Sequence, residues 1–386
     1  MTEQTKEPVT AGGQIRQTRI QKLTDLADKG VNPYPYLFDK NANAYDLQEK
    51  YKDLPAGEET QDFYAVAGRV MAIRNTGMFI DLMDSSGKIQ VFSHKENLSE
   101  EQLKILKLID IGDIVGFKGT IRRTPRGELS IKSTELKLLS KSLLPLPEKF
   151  HGLTDVEMRY RQRYVDMIIN EDVRKTFRLR SLIIQKIREY LTKQNFLEVE
   201  TPILQTMASG ANARPFLTHH NALEMDLTLR IALELYLKRL IVGGVSERVY
   251  EIGRCFRNEG IDLKHNPEFT MLELYQAYGN VNTMADLFDE IIGNAAKALG
   301  ITKVNYRGHE INLVPPFKRV SIPEEWQKTF GEDIHNILDG RNLKKPELVA
   351  LAKKVGVKFD ENEPANKIYS DNIDCTFTIV DSDISS

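Results

Sequence analysis

The sequence predicts an α+β protein in two parts, a small five-stranded barrel followed by a larger domain built on an antiparallel sheet. Three observations predict it. Short strand-like runs with turn residues between them fill positions 63–143. A Pro145-Leu146-Pro147 break follows. Beyond it helical patterns alternate with strands, and two long strand runs, 248–257 and 268–278, are joined by a short polar loop rather than a helix. The predicted organisation is a helical lead-in over 1–60, a barrel domain over 61–145 and the sheet domain over 146–386.

The 386 residues suit two or three domains, and 41% hydrophobic with 28% charged residues is ordinary for a globular chain. Lys and Arg number 53 against 55 Asp and Glu, a net charge of −2 that excludes a uniformly basic coat but not a local basic face. Two cysteines, Cys255 and Cys375, make neither a disulfide framework nor a zinc cluster and suit a reducing compartment. Residues 1–13 are polar, and no apolar run reaches the 18 residues of a membrane span. The expectation is a cytoplasmic protein with no membrane partner.

In the lead-in, Ile15, Ile20, Leu23 and Leu26 recur at near-helical spacing, and Gly30 with Pro33-Tyr34-Pro35 closes the helix. It reads as a solvated edge helix or, through Arg16, Arg19 and Lys22, as a basic helix leaning on nucleic acid. The barrel follows as strands 66–70, 78–82 and 88–92, a helix over 99–108, then strands 113–119 and 128–139, with Ser85-Ser86-Gly87 as a hairpin turn. Three strands, a helix and two strands is the order of an OB-fold. Seven Lys or Arg face two Glu between Phe117 and Lys141, a stripe expected to attract phosphate.

After the break, Arg159, Arg161, Arg163, Arg174, Arg178 and Arg180 crowd the approach to an amphipathic helix whose stripe is Ile183, Ile184, Ile187, Tyr190 and Leu191. Residues 196–202 read as a strand ending at Pro202, and 231–242 and 283–299 as helices. The informative segment is the hairpin 248–278. With a period of two, Glu251, Arg257 and Glu259 share one face of its first strand, and Phe269, Glu273 and Tyr275 one face of its second. If those faces coincide, one platform carries an arginine, several carboxylates and two aromatics. Ionised groups within strands are costly unless paired or bound to a ligand, so the platform is a candidate site, with a structural ion-pair ladder as the alternative. His219-His220 has no carboxylate at metal-ligand spacing and reads as structural, and Gly243-Gly244 reads as a helix C-cap.

Phe256-Arg257-Asn258-Glu259, followed by His265-Asn266-Pro267-Glu268-Phe269-Thr270, resembles the second signature motif of the class II aminoacyl-tRNA synthetases in its lysine form. The segments 149–164, 210–216 and 230–244 resemble the same family, and the helix and strand ending at Pro202 resemble its first motif, which builds a dimer interface. The likeness runs from about residue 15 to about 370. It implies an incomplete class II catalytic domain behind the OB-fold, acting as a homodimer with ATP and Mg2+ to join L-lysine to tRNA(Lys) through lysyl-adenylate.

The resemblance implies that Arg257 is the catalytic cation, aligning the lysine carboxylate with the α-phosphate. Arg257, Glu259, His265, Asn266 and Phe269 would bind ATP, with Phe269 stacked on adenine. Glu234, Arg257, Glu273 and Tyr275 would surround the bound lysine, and Phe79, Gln90, Phe92 and Glu128 would read the anticodon. Without the resemblance, Phe79 and Phe92 read as barrel core. Between Gly244 and Tyr250 the chain is one residue longer than the family pattern, and the turn is expected to absorb it. Residues 366–374 begin as the family does, but Cys375 to Ser386 do not continue it. Neither the magnesium carboxylates nor the Gly-rich third motif that follows is found, so no metal ligand is assigned, and a truncating frameshift or gene fragment is the expectation. Two readings follow: a lysine-activating ligase, or a tRNA-binding remnant of one.

Overall fold

The computed structural model of the chain describes residues 11–147, 155–262, 265–306, 308–340, 342–356 and 358–369. They fall into two compact units that divide between Arg174 and Lys175. The first ten residues, positions 149–154 of the quoted likeness and the stretch from Ser370 onward, with Cys375, lie outside the described residues.

In the first unit α1 (Ala11–Asp28) stops where Gly30 takes φ +70° and Val31 N–H bonds to Leu26 O at 3.0 Å. Two of its cations serve the barrel rather than a partner. Arg19 donates to the carbonyls of Ser142 and Leu144 at 3.0 Å and of Ile111 at 2.9 Å, and Lys22 pairs with Asp110 at 2.6 Å. The chain continues through α2 (Ala44–Lys50), β1 (Glu59–Arg74), β2 (Phe79–Met83), β3 (Lys88–Phe92), α3 (Glu100–Leu106), β4 (Ile114–Arg123) and β5 (Leu129–Ser140). The strands close in the order β1-β2-β3-β5-β4. That is the barrel the element order predicts. β1 is far longer than the 66–70 run, because its first part pairs with β4 and its last part with β2, bending at a bulge between Val70 and Ala72. Alternation puts Ile80, Leu82, Ile89, Val91, Val115, Phe117 and Ile121 in a dry core that α1 seals with Leu26.

Asp84 locks the β2–β3 turn to α2. Its carboxylate accepts from Lys40 Nζ (2.8 Å), Ala44 N (2.9 Å), Ser86 N (2.7 Å), Ser86 Oγ (2.6 Å) and Gly87 N (3.0 Å). Burial alone would raise its pKa, but these donors outweigh it and hold the carboxyl at about 2, against 3.8 unperturbed. A depressed carboxyl stabilises the fold above its unfolded pKa and loses that contribution as pH falls through the folded value. Asp84→Asn should therefore cost about 2 kcal/mol at neutral pH and flatten the acid limb of stability between about pH 4 and pH 2. Thermal melts of both proteins across that range check it; parallel acid limbs would overturn it.

The basic stripe is largely taken up within the barrel. Lys141 is fully buried between Asp110 (2.5 Å) and Asp113 (2.8 Å), Lys118 pairs with Glu135 (2.9 Å) and Lys132 with Glu59 (2.7 Å). Arg123 donates to the carbonyls of Gly127 and Tyr51 at 2.7 and 2.6 Å. Charge counted along the sequence overstated the free positive face, because partners arrive from β1 and from the turn before β4.

Past the Pro145–Pro147 break, α4 (Val156–Arg161) and α5 (Arg163–Ile169) gather two of the crowded arginines around one anion. Asp166 is fully buried and accepts from Arg159, Arg163 and Asn170. Arg174 donates to the Met167 and Ile168 carbonyls and reaches Met83 Sδ at 3.8 Å, and this unit runs beyond the proline break.

The second unit contains most of α6 (Glu171–Lys193), then β6 (Leu197–Glu198), β7 (Leu204–Gln205), β8 (Leu217–His220), β9 (Met225–Leu229), α7 (Glu234–Val242), β10 (Arg248–Phe256), β11 (Glu268–Gln276) and α8 (Val281–Leu299). A hairpin, β12 (Lys303–Tyr306) with β13 (His309–Asn312), follows, and helices α9 (Ile322–Phe330) and α10 (Lys345–Lys354) pack a satellite cluster around buried Trp326. The main sheet runs β11-β10-β6. The 196–202 strand pairs with β10 only at Leu197 and Glu198. Beyond them Val199 N–H still reaches Tyr250 O, but Thr201 N–H turns to the Glu251 carboxylate and Pro202 has no N–H to give. The even face of the hairpin, with Tyr250, Ile252, Leu272 and Leu274, packs on α6 and α8, and the odd face packs on α7 through Leu233, Leu237 and Ile241. Among the described residues no helix is long and apolar enough to cross a membrane.

Candidate functional site

The hairpin register joins the two odd faces. Val249 opposes Tyr275, Glu251 opposes Glu273, Gly253 opposes Met271 and Cys255 opposes Phe269, with no slip from Arg248 to Phe256. Ahead of the strand, Gly243 caps α7 and Gly244 takes φ +77°.

Two of the platform's carboxylates have different fates. Glu251, 3% exposed, forms a buried ion pair with Arg230 Nη1 at 2.7 Å and accepts from Thr201 N and Oγ at 3.1 and 2.6 Å. Arg230 also donates to Arg254 O at 2.8 Å and Thr201 O at 2.9 Å. At this position the structural alternative is the correct one. Gly253 is the residue that makes room: a Cβ there would lie 2.3 Å from Arg230 Nη2. Sequence reasoning gave Arg230 no role; its place at the head of the 230–244 segment was the available signal.

Glu273 instead turns toward the N-terminus of α7, accepting from Leu233 N–H at 3.2 Å and from the Tyr275 hydroxyl at 3.0 Å. Burial, then this acceptor, pushes the Tyr275 phenol well above its ordinary range, so it stays protonated as a donor. Glu234, in the first turn of α7, holds Lys238 Nζ at 2.5 Å, and the same ammonium lies 5.5 Å from the Tyr275 ring centroid. A cation of the chain itself therefore occupies the anionic, aromatic corner predicted to take lysine. Arg257 lies just past β10, its N–H on Pro267 O (2.8 Å), its Nε 3.4 Å from Ile231 O and its guanidinium 5.1 Å over the Phe269 ring. Burial pushes the Cys255 thiol up, so this neighbour of the site stays uncharged.

Arg257, Phe269, Glu273 and Tyr275 are thus gathered on the sheet side under α7, whose first turn carries Glu234. Glu259, His265 and Asn266 lie exposed on the connecting turn, where His265 bonds to Asp262 through its N–H (2.7 Å) and Nδ1 (2.8 Å). Asn258 N–H ties this turn to Arg214 O at 2.8 Å, linking two of the segments quoted for the likeness. His219 does meet carboxylates, Asp226 at 2.8 Å, brought opposite it by the β8–β9 pairing, and Glu224 at 3.5 Å from the turn between those strands. No group of three or more His, Cys, Asp or Glu positioned to hold a metal exists among the described residues.

On the barrel, Phe79 and Phe92 are opposite one another on the outer face, ring centroids 5.3 Å apart, and are not core. The core alternates with them through Ile80 and Val91. Gln90 is 8% exposed, and its Oε1 accepts from the buried Ser130 hydroxyl at 2.8 Å, which leaves the amide N–H groups to face an acceptor. Glu128 lies at the same end, 4.0 Å from Lys88, which also approaches Asp81 at 3.5 Å.

Residues 155–378 match the family described as tRNA synthetases class II (D, K and N), and residues 64–139 match the OB-fold nucleic acid binding domain. The lysine–tRNA ligase of Thermosynechococcus vestitus is 50% identical over 355 residues, 90% of this chain and 69% of that protein. That of Synechococcus sp. strain RCC307 is 47% identical over 360 residues, covering 90% and 71%, and that of Agrobacterium fabrum 47% over 334 residues, covering 86% and 67%. With a barrel and a hairpin site matched in the same order, the chain belongs to the class II tRNA synthetases of the aspartate, lysine and asparagine group, within its lysine–tRNA ligases.

Proposed function

We propose that the chain activates L-lysine with ATP and transfers it to tRNA(Lys). The observation that carries this reading is the sheet side on which Arg257 and Phe269 share a face with Glu273 and Tyr275, beneath Glu234 of α7. In the first step a lysine carboxylate oxygen attacks the α-phosphorus and pyrophosphate leaves. In the second a terminal ribose hydroxyl of the tRNA attacks the lysyl carbonyl and AMP leaves. Arg257 holds two anions in register and neutralises developing charge; its planar, permanent cation suits that task. Phe269 offers a stacking surface for adenine, and Glu259, His265 and Asn266 reach the nucleotide from the turn. Glu234, Glu273 and the protonated Tyr275 offer acceptors and a donor to lysine, and the Lys238 ammonium already at Glu234 supports a cation-selective corner.

The family implies Mg2+. The described residues form no carboxylate cluster that fits it, so no step is routed through a metal. Phe79, Gln90, Phe92 and Glu128 would read the unstacked anticodon bases by stacking and edge hydrogen bonds. A groove of about 540 Å³ along α6, lined by Ile183, Ile184, Ile187, Ile252 and Leu272, supports a homodimer built on the first motif. A cytoplasmic setting, where tRNA and ATP meet, completes the reading.

Lysine-dependent ATP–pyrophosphate exchange by the purified chain tests it. Exchange that responds to lysine and not to arginine or ornithine is expected. Absence of exchange with tRNA binding retained would reduce the chain to a tRNA-binding protein.

A further inference from the structure

The anticodon candidates occupy β2, β3 and the start of β5, but the same outer face continues onto β4. Asp81 opposes Gln90, Gln90 opposes Ser130 and Ser130 opposes Arg122, one row across four strands. Arg122 leans from that row over Phe92, its guanidinium carbon 4.4 Å from the ring centroid. Phe92 meets Phe79 at 5.3 Å and the His94 ring at 5.8 Å, nearly parallel at 17°. The guanidinium therefore belongs to the same aromatic cluster as Phe79, Phe92 and His94.

Its hydrogen-bonding capacity is unused. The nearest anion to Arg122 is Glu59, at 3.7 Å from Nη1, and Lys132 already holds Glu59 at 2.7 Å. Nε is buried, and the side chain makes no hydrogen bond among the described residues. Arg123 next to it places both terminal nitrogens on backbone carbonyls at 2.6 to 2.7 Å. A guanidinium over an aromatic ring, with no hydrogen bond from its terminal nitrogens, suits a ligand that stacks and supplies acceptors.

We propose that Arg122 is a fifth base-reading residue of the barrel, its guanidinium plane stacking on an unpaired base beside Phe92 while its in-plane N–H groups donate to an acceptor of the adjoining nucleotide. This inference rests on the barrel reading tRNA. An unstacked base of a single-stranded loop fits the chemistry, since guanidinium planes and aromatic rings both serve as platforms for such bases. Stacking depends on planarity, so lysine cannot replace arginine here.

The test is binding of the purified chain to anticodon stem-loops carrying each base in turn at the loop positions, across a salt series. Arg122→Gln and Arg122→Lys should each weaken the preferred loop about tenfold, within the range of one base contact. The loss should depend on the base at one position, with the salt slope and lysine-dependent pyrophosphate exchange unchanged. Affinity within twofold of the parent would overturn the proposal. So would a uniform loss over all loops with a shallower salt slope, which marks a phosphate contact, or full function of the lysine variant. If Arg122→Gln melts below the assay temperature, the lysine variant carries the test. Phe92→Ala separates the two levels. If it too leaves loop binding intact, the barrel reading fails; if it alone weakens binding, only the role of Arg122 fails.

Discussion

Glu251→Ala is expected to destabilise the second unit by about 3–5 kcal/mol, the cost of leaving a buried cation without its partner. Arg230 and Glu251 are 2% and 3% exposed. Removing the carboxylate strands the guanidinium at 2.7 Å from an empty place and deprives Thr201 of its acceptor. Replacing both charges at once, as Arg230→Met with Glu251→Leu, should cost much less than Glu251→Ala alone, because no unpaired charge remains. Urea unfolding of the two variants beside the parent measures this. A single variant as stable as the double would show that the pair is not coupled. The pair also underlies the site, since β10 reaches Arg257 directly after the strand that Glu251 anchors.

Arg257→Gln should lower lysine-dependent pyrophosphate exchange by about 10² to 10³-fold, the loss typical of removing one preorganised charge from a transition state. The fall should appear in kcat more than in KM for ATP, because the proposed role is to neutralise charge that develops during attack. Arg257→Lys should recover only part, since a point charge cannot bridge a carboxylate and a phosphate as a fork does. A variant that loses ATP affinity with kcat intact would make Arg257 a binding residue only.

Strict alternation made the hairpin legible. The odd positions from Val249 to Cys255 face the odd positions from Phe269 to Tyr275, as a two-residue period demands. Closure of the barrel followed from element order for the same reason, that local pattern and global topology agree. What sequence could not show was which partner each charge would find. Glu251 and Glu273 are equivalent in pattern, yet one meets Arg230 from before α7 and the other meets Leu233 N–H and Tyr275. His219 acquired Asp226 through strand pairing, and Lys141 disappeared between two aspartates. Phe79 and Phe92 could have filled the core; only the phase of β2 and β3 against Ile80 and Val91 sets them outside.

The barrel's internal ion pairs have a consequence for how it meets RNA. A cation already neutralised within the fold releases few counterions when a phosphate arrives, and counterion release is what makes nucleic-acid affinity steep in salt. Lys118, Lys132 and Lys141 are held by Glu135, Glu59 and the Asp110–Asp113 pair. Binding of an isolated anticodon stem-loop should therefore change little between about 50 and 200 mM salt, unlike the 10³-fold or greater losses of proteins that grip many phosphates. The barrel would tell one loop from another at salt concentrations where purely electrostatic binders let go.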